Sequence, residues 1–225
     1  MGVGGVGSWA AEALARSGLG YMVLVDMDHV SESNMNRQVQ ACKSSLGKAK
    51  VQALCERLAD AAPHCEVTCV DAHLDSKNAD SILRQANWWI DACDDMRAKL
   101  EMILWANKQS RLRQLVVSGA AGGKLDATRI EITDLSQTRN DPLLSKLRYS
   151  LRRSHGFARE GRLGISAVFS SEPMRVRDDC AAAARLNCAG YGSLVSVTAG
   201  MGMAAAGWVL SGLARSAPAS VTIAV

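Results

Sequence analysis

"MGVGGVGSWAAEALARSGLGYMVLVDMD" (residues 1–28) opens the chain and decides the reading of its fold. Gly2, Gly4 and Gly7 stand at G-x-G-x-x-G spacing, ahead of a helix-compatible run and then the apolar "YMVLV", closed by Asp26. Glycines so spaced let the backbone approach a phosphate and let a helix pack closely on its strand. The first N–H groups of that helix then face the anion. Asp26 lies 19 residues beyond Gly7, where a ribose-binding acid belongs at the end of the next strand. Such a loop normally follows a buried strand. No such segment stands ahead of Met1 in this sequence, so the first strand of the sheet is expected to be missing.

Further along, short apolar runs alternate with helical periodicity. "CEVTCV" (65–70), "NWWIDAC" (87–93) and "QLVVSGAAGG" (114–123) read as strands; "GKAKVQALCERLADAAP" (47–63) and "MRAKLEMILWANKQ" (96–109) read as helices. This alternation predicts an α/β fold: a Rossmann-like, doubly wound, mostly parallel sheet with helices on both faces. From about Ile130 the runs shorten ("RIEIT", "ISAVFS"), which predicts antiparallel additions towards the C-terminus. "SLVSVTAGMGMAAAGWVLSGLA" (193–214) is uncharged and long enough to span a bilayer. Its Gly, Ala, Ser and Thr content suits a helix packed closely on the sheet better than one in lipid.

The 225 residues are expected to form a single domain, 1–225. No basic-then-apolar leader precedes the glycines, so nothing suggests secretion. Seven cysteines are scattered without a C-x-x-C pair, which argues against a zinc cage or a disulfide framework and for reduced thiols in the cytoplasm. The net charge is +4, but residues 139–162 hold seven Lys or Arg against Asp141 and Glu160. This basic segment is either a solvated face or a site that steers a polyanion.

The glycine loop and Asp26 suit NAD and ATP equally; the residues that follow separate them. Asn36, Arg37 and Gln38 come soon after Asp26, and Lys48 and Lys50 open the next helix. Converging cations suit a triphosphate and its leaving pyrophosphate, as in ATP-dependent activation of a carboxylate. In "DACDD" (91–95), Asp94 can offer carboxylate oxygen to Mg2+, while Asp95 is the better candidate for a helix N-cap.

"GVGGVGS", "VDMDHVSESNMNRQ", "GKAK" and "DACDD" resemble the ubiquitin-activating-enzyme-like adenylyltransferases, the group that includes ThiF and MoeB. The resemblance implies that Gly4, Gly5, Gly7, Asp26, Asn36, Arg37, Lys50, Asp94 and Asp95 bind ATP-Mg2+. It also implies that Arg37, Lys50 and Asp94 are catalytic and that Asp94 binds the metal. Within the group, "VSGAAGGKLDATRIEITDLSQTRNDPLLSKLR" (117–148), "VFSSE" (168–172) and "NCAGYGS" (187–193) are similar to the bacterial tRNA threonylcarbamoyladenosine dehydratases. The two C-x-x-C pairs usual in ThiF and MoeB are absent.

That resemblance implies adenylation of the carboxylate on a modified adenosine beside the anticodon, then ring closure with loss of water. It also implies a homodimer and cysteine desulfurase or sulfur-acceptor partners. With tRNA (and no DNA) as substrate, Lys146, Arg148, Arg152 and Arg153 become candidate phosphate contacts. Cys188 is either an acyl acceptor or a packed thiol. Two other functions remain open: adenylation of a sulfur-carrier protein, and a non-catalytic nucleotide- or tRNA-binding remnant.

Overall fold

Parallel strands with apolar side chains on both faces need helices on both sides to cover them, and this governs the architecture. The computed structural model describes residues 1–174 and 192–216. Strand β1 (Tyr21–Val25) pairs in parallel with β2 (Glu66–Val70). Strands β3 (Trp89–Asp91), β4 (Leu115–Ser118) and β6 (Ser166–Ser170) form a parallel set, and β5 (Ile130–Asp134) joins β6 antiparallel at the edge. The strands form two sheets, β2–β1 and β3–β4–β6–β5, in place of one continuous sheet; the mostly parallel pairing and the antiparallel addition are as expected.

β1 and β3 do not pair with each other. Between them lies an apolar cleft of about 380 Å³, lined by Val23 and Ile90 and by Leu14 of α1 (Gly7–Arg16). Residues Met1 and Gly2 bridge its end: the Met1 amine donates to the Ile90 carbonyl at 3.1 Å, Ala92 N–H donates to the Met1 carbonyl at 2.9 Å, and Gly2 N–H donates to the Val25 carbonyl at 2.8 Å.

Helices α2 (Lys50–Ala61) and α4 (Met96–Lys108) fall within the expected ranges. The short α3 (Ala79–Leu83) carries no signal that sets it apart in the sequence. The basic segment forms α5 (Pro142–Ser154), with Asp141 as N-cap and Leu143, Leu144, Leu147 and Leu151 buried at helical spacing. Helix α6 (Val195–Ser216) covers the uncharged run and packs against α1. A Cβ on Gly202 would come within 2.5 Å of the Val6 carbonyl oxygen, so the small residues of this helix serve a close approach. Cys188 lies outside the described residues.

Candidate active site

The C-terminal ends of β1, β3 and β4 open into a cavity of about 750 Å³. In an open parallel sheet this is where ligands bind, because the loops leaving the strands diverge there. Gly4, Gly5, Asp26, Arg37, Lys50, Asp94 and Asp95 all reach this cavity; Gly7 and Asn36 do not line it.

The glycine loop is held from beneath. Asp26 accepts the Val3 N–H at 2.7 Å and the Asp28 N–H at 2.9 Å, and Gln40 donates to the Val3 carbonyl at 2.8 Å. A Cβ on Gly7 would lie 1.8 Å from the Gly2 carbonyl oxygen, so Gly7 closes the loop instead of touching a ligand. At Gly4 the nearest atom to an added Cβ is 3.9 Å away, which leaves that side of the loop open to the cavity. Helix α1 begins without a side-chain cap or an acid in its first turn. Ser8 N–H is taken by the Gly4 carbonyl at 3.1 Å, so what this end offers an anion is the positive end of the helix dipole with no acid to oppose it.

Two cations converge from other segments. Arg37 Nη1 donates to the Ser33 carbonyl at 2.8 Å and to Asn36 Oδ1 at 2.9 Å, and the Arg37 carbonyl accepts from the Trp9 indole at 3.0 Å. Asn36 therefore orients the guanidinium instead of lining the cavity. Lys50 lies at the start of α2, largely buried, with its ammonium 2.7 Å from Asp28 Oδ2. Asp28 also lines the cavity, although the strand-end pattern marks only Asp26. The available signal was the D-x-D spacing of "VDMD", and a short bridge between His29 and Ala49 brings it to Lys50.

The third wall follows β3. Asp95 caps α4, accepting the Arg97 N–H at 2.7 Å, and lies 3.2 Å from His73 Nε2. Asp94 is exposed to the cavity and makes no hydrogen bond or ion pair within the described residues. No cluster of three or more metal-binding side chains occurs among the described residues. Mg2+ commonly takes one or two carboxylates, with phosphates and water completing its shell, so Asp94 beside the cradle fits it.

Behind this wall, Lys99 and Asp91 form a fully buried ion pair at 3.1 Å; Lys99 also donates to the Ser118 carbonyl at 2.8 Å. Burial is the largest influence and opposes the lysine's charge, but the bonded Asp91 carboxylate and the more distant Asp141 act together against it and hold the ammonium above its ordinary pKa. The pair joins the ends of β3 and β4. Cys93 has its thiol 2.9 Å from Asp91 Oδ1; burial first, then Asp91, keeps it protonated.

In the basic segment the four candidate phosphate contacts divide. Lys146 and Arg153 are exposed on α5. Arg148 donates to the Leu135 carbonyl and to the Thr138 carbonyl and hydroxyl, and Arg152 donates to the Gly161 carbonyl at 2.8 Å.

This arrangement can bind a nucleoside triphosphate and activate a carboxylate, and the comparisons with known proteins agree with it. Residues 1–219 match the ThiF family. The chain is 40% identical over 219 residues to the tRNA threonylcarbamoyladenosine dehydratase of Escherichia coli K12, covering 91% of this chain and 81% of that protein. It is 37% identical over 222 residues to the protein of the same name from Haemophilus influenzae, covering 96% and 84%. The solved E. coli dehydratase, TcdA, in complex with ATP superposes with a TM-score of 0.83 at 37% identity, covering 96% and 86%. A glycine cradle, two converging cations and a free acid beside mostly parallel strands, found in a chain that matches the family over residues 1–219, make this protein a member of the ThiF family.

Proposed function

We propose that this protein is an ATP-dependent tRNA threonylcarbamoyladenosine dehydratase. The observation that carries the reading is the convergence of Gly4, Gly5, Asp26, Arg37, Lys50 and Asp94 on one cavity, in a chain 37–40% identical to dehydratases over nearly its whole length. The loop from Gly2 to Gly7 and the open start of α1 hold the phosphates, and Asp26 faces the ribose. Arg37 and Lys50 neutralise charge as the substrate carboxylate attacks the α-phosphorus and the bond to pyrophosphate breaks. Mg2+ on Asp94 would supply further neutralisation of the phosphates.

The acyl-adenylate then closes on itself. A nitrogen of the same side chain attacks the activated carbonyl, the C–O bond to AMP breaks, and the nitrogen loses its proton. Because nucleophile and electrophile share one molecule, effective molarity replaces a protein nucleophile. Cys93, buried and held protonated, is not needed for this step. The protein works as a homodimer in the cytoplasm, where sulfur-transfer enzymes are further candidate partners.

The test is pyrophosphate exchange into ATP together with mass analysis of the tRNA nucleosides. Exchange that depends on threonylcarbamoylated tRNA, with loss of water from the modified adenosine, is expected. Exchange driven only by a carrier protein with a Gly-Gly tail would overturn the reading in favour of a sulfur-carrier adenylyltransferase.

A further inference from the structure

The solvent face of α5 carries Lys146, Tyr149 and Arg153, at i, i+3 and i+7, opposite the leucines that anchor the helix. Tyr149 is 58% exposed, high for a large aromatic on a helix with a complete apolar face. The Arg153 guanidinium lies over its ring, 5.6 Å from the centroid, and donates to its hydroxyl. A single exposed aromatic is ordinary. An aromatic flanked by two cations on one helix face is the composition that holds single-stranded nucleic acid, where bases stack and phosphates need neutralising.

The position of the helix gives this face its direction. Pro142 and Leu143, at the start of α5, line the nucleotide cavity. Seven residues on, Tyr149 stands about 10 Å further along the axis. That distance equals roughly three stacked bases at ~3.4 Å each. Four other cations of the segment are engaged elsewhere: Arg139 with Glu131 at 2.6 Å, Arg162 with Asp134 at 3.8 Å, Arg148 on Thr138 and Arg152 on the Gly161 carbonyl; exposed Arg159 lies beyond the end of α5. Lys146 forms no ion pair among the described residues.

We propose that Lys146, Tyr149 and Arg153 form the track that receives the single-stranded loop of the tRNA substrate as it leaves the cavity, with Tyr149 as the stacking platform for one base. The proposal rests on the dehydratase reading and adds where the RNA lies. It is independent of the residues that bind ATP.

The test measures binding of threonylcarbamoylated tRNA across a salt series, with ATP affinity and molecular mass followed in parallel. Tyr149→Ala should weaken tRNA binding roughly tenfold with an unchanged salt slope, and Tyr149→Phe should restore it, since stacking needs the ring and not the hydroxyl. Lys146→Ala should lower the logarithmic salt slope by about 0.7–0.9. ATP affinity should stay at the wild-type level throughout. Wild-type tRNA affinity in Tyr149→Ala would overturn the track while leaving the dehydratase reading in place. A change in oligomeric state in place of tRNA affinity would also overturn it, making the face an interface between copies. A wild-type protein that neither binds nor converts the tRNA would overturn both.

Discussion

Replacing Lys99 with methionine tests whether the buried pair behind the active site holds the ends of β3 and β4 together. Methionine nearly matches the length of the lysine stem and removes only the ammonium. The substitution leaves Asp91 Oδ2 and the Ser118 carbonyl without their donor, and both Lys99 and Asp91 are fully buried. Removing one member of a buried ion pair costs about 3–5 kcal/mol, because the remaining charge has no water to turn to. For a domain of this size each kcal/mol moves the melting temperature by roughly 2–4 °C. Lys99→Met should therefore melt on the order of 10 °C below the wild type, in thermal unfolding followed by circular dichroism. Adding Asp91→Asn removes the stranded charge and should recover part of the loss, a coupling of about 0.5–3 kcal/mol between the sites. A single variant within about 1 kcal/mol of wild type, or strictly additive effects, would refute the reasoning.

Lys50→Ala should lower the rate of tRNA-dependent pyrophosphate exchange by about 10²–10³-fold, with a smaller effect on ATP affinity, because its charge acts on the leaving group; equal losses in both would make it a binding residue alone. Gly7→Ala would put a methyl 1.8 Å from the Gly2 carbonyl oxygen, so stability and ATP affinity should fall together. Gly4→Ala meets nothing closer than 3.9 Å and should keep the wild-type melting temperature while weakening ATP binding. Calorimetry and thermal melts on the two variants separate these effects. Exposed Cys42 has its thiol lowered to about 7, first by the Ser44 hydroxyl and then by Ser45, so its thiolate predominates as pH rises through 7. Cys69 is pushed up to about 12, mainly by burial. Iodoacetamide followed by peptide mass spectrometry should label Cys42 with a midpoint near pH 7, whereas Cys69 should react only after unfolding.

The parts of the site legible in the sequence are those where local chemistry and local backbone act together. Glycines at fixed offsets, an acid closing an apolar run, and Asp95 one residue ahead of a helix each declare their role within a few positions. Asp28 is not legible in the same way, because its importance depends on Lys50, 22 residues away, whereas the end of the strand itself marks Asp26. Lys99 sits in "MRAKLEM", where a lysine in a helix reads as solvated; only the arrival of Asp91 and Ser118 from two strands makes it buried.

Residues 139–162 show the converse error of scale. The charge count marks the whole segment, whereas the leucine spacing at 143, 144, 147 and 151 gives α5 a buried side. That spacing fixes which side of α5 faces water. Once the face is fixed, Arg148 turns to the Leu135 and Thr138 carbonyls, and Tyr149 comes out beside Lys146 and Arg153. Periodicity, more than net charge, thus says which cations a polyanion can reach, because a helix turns every third or fourth side chain to the same solvent.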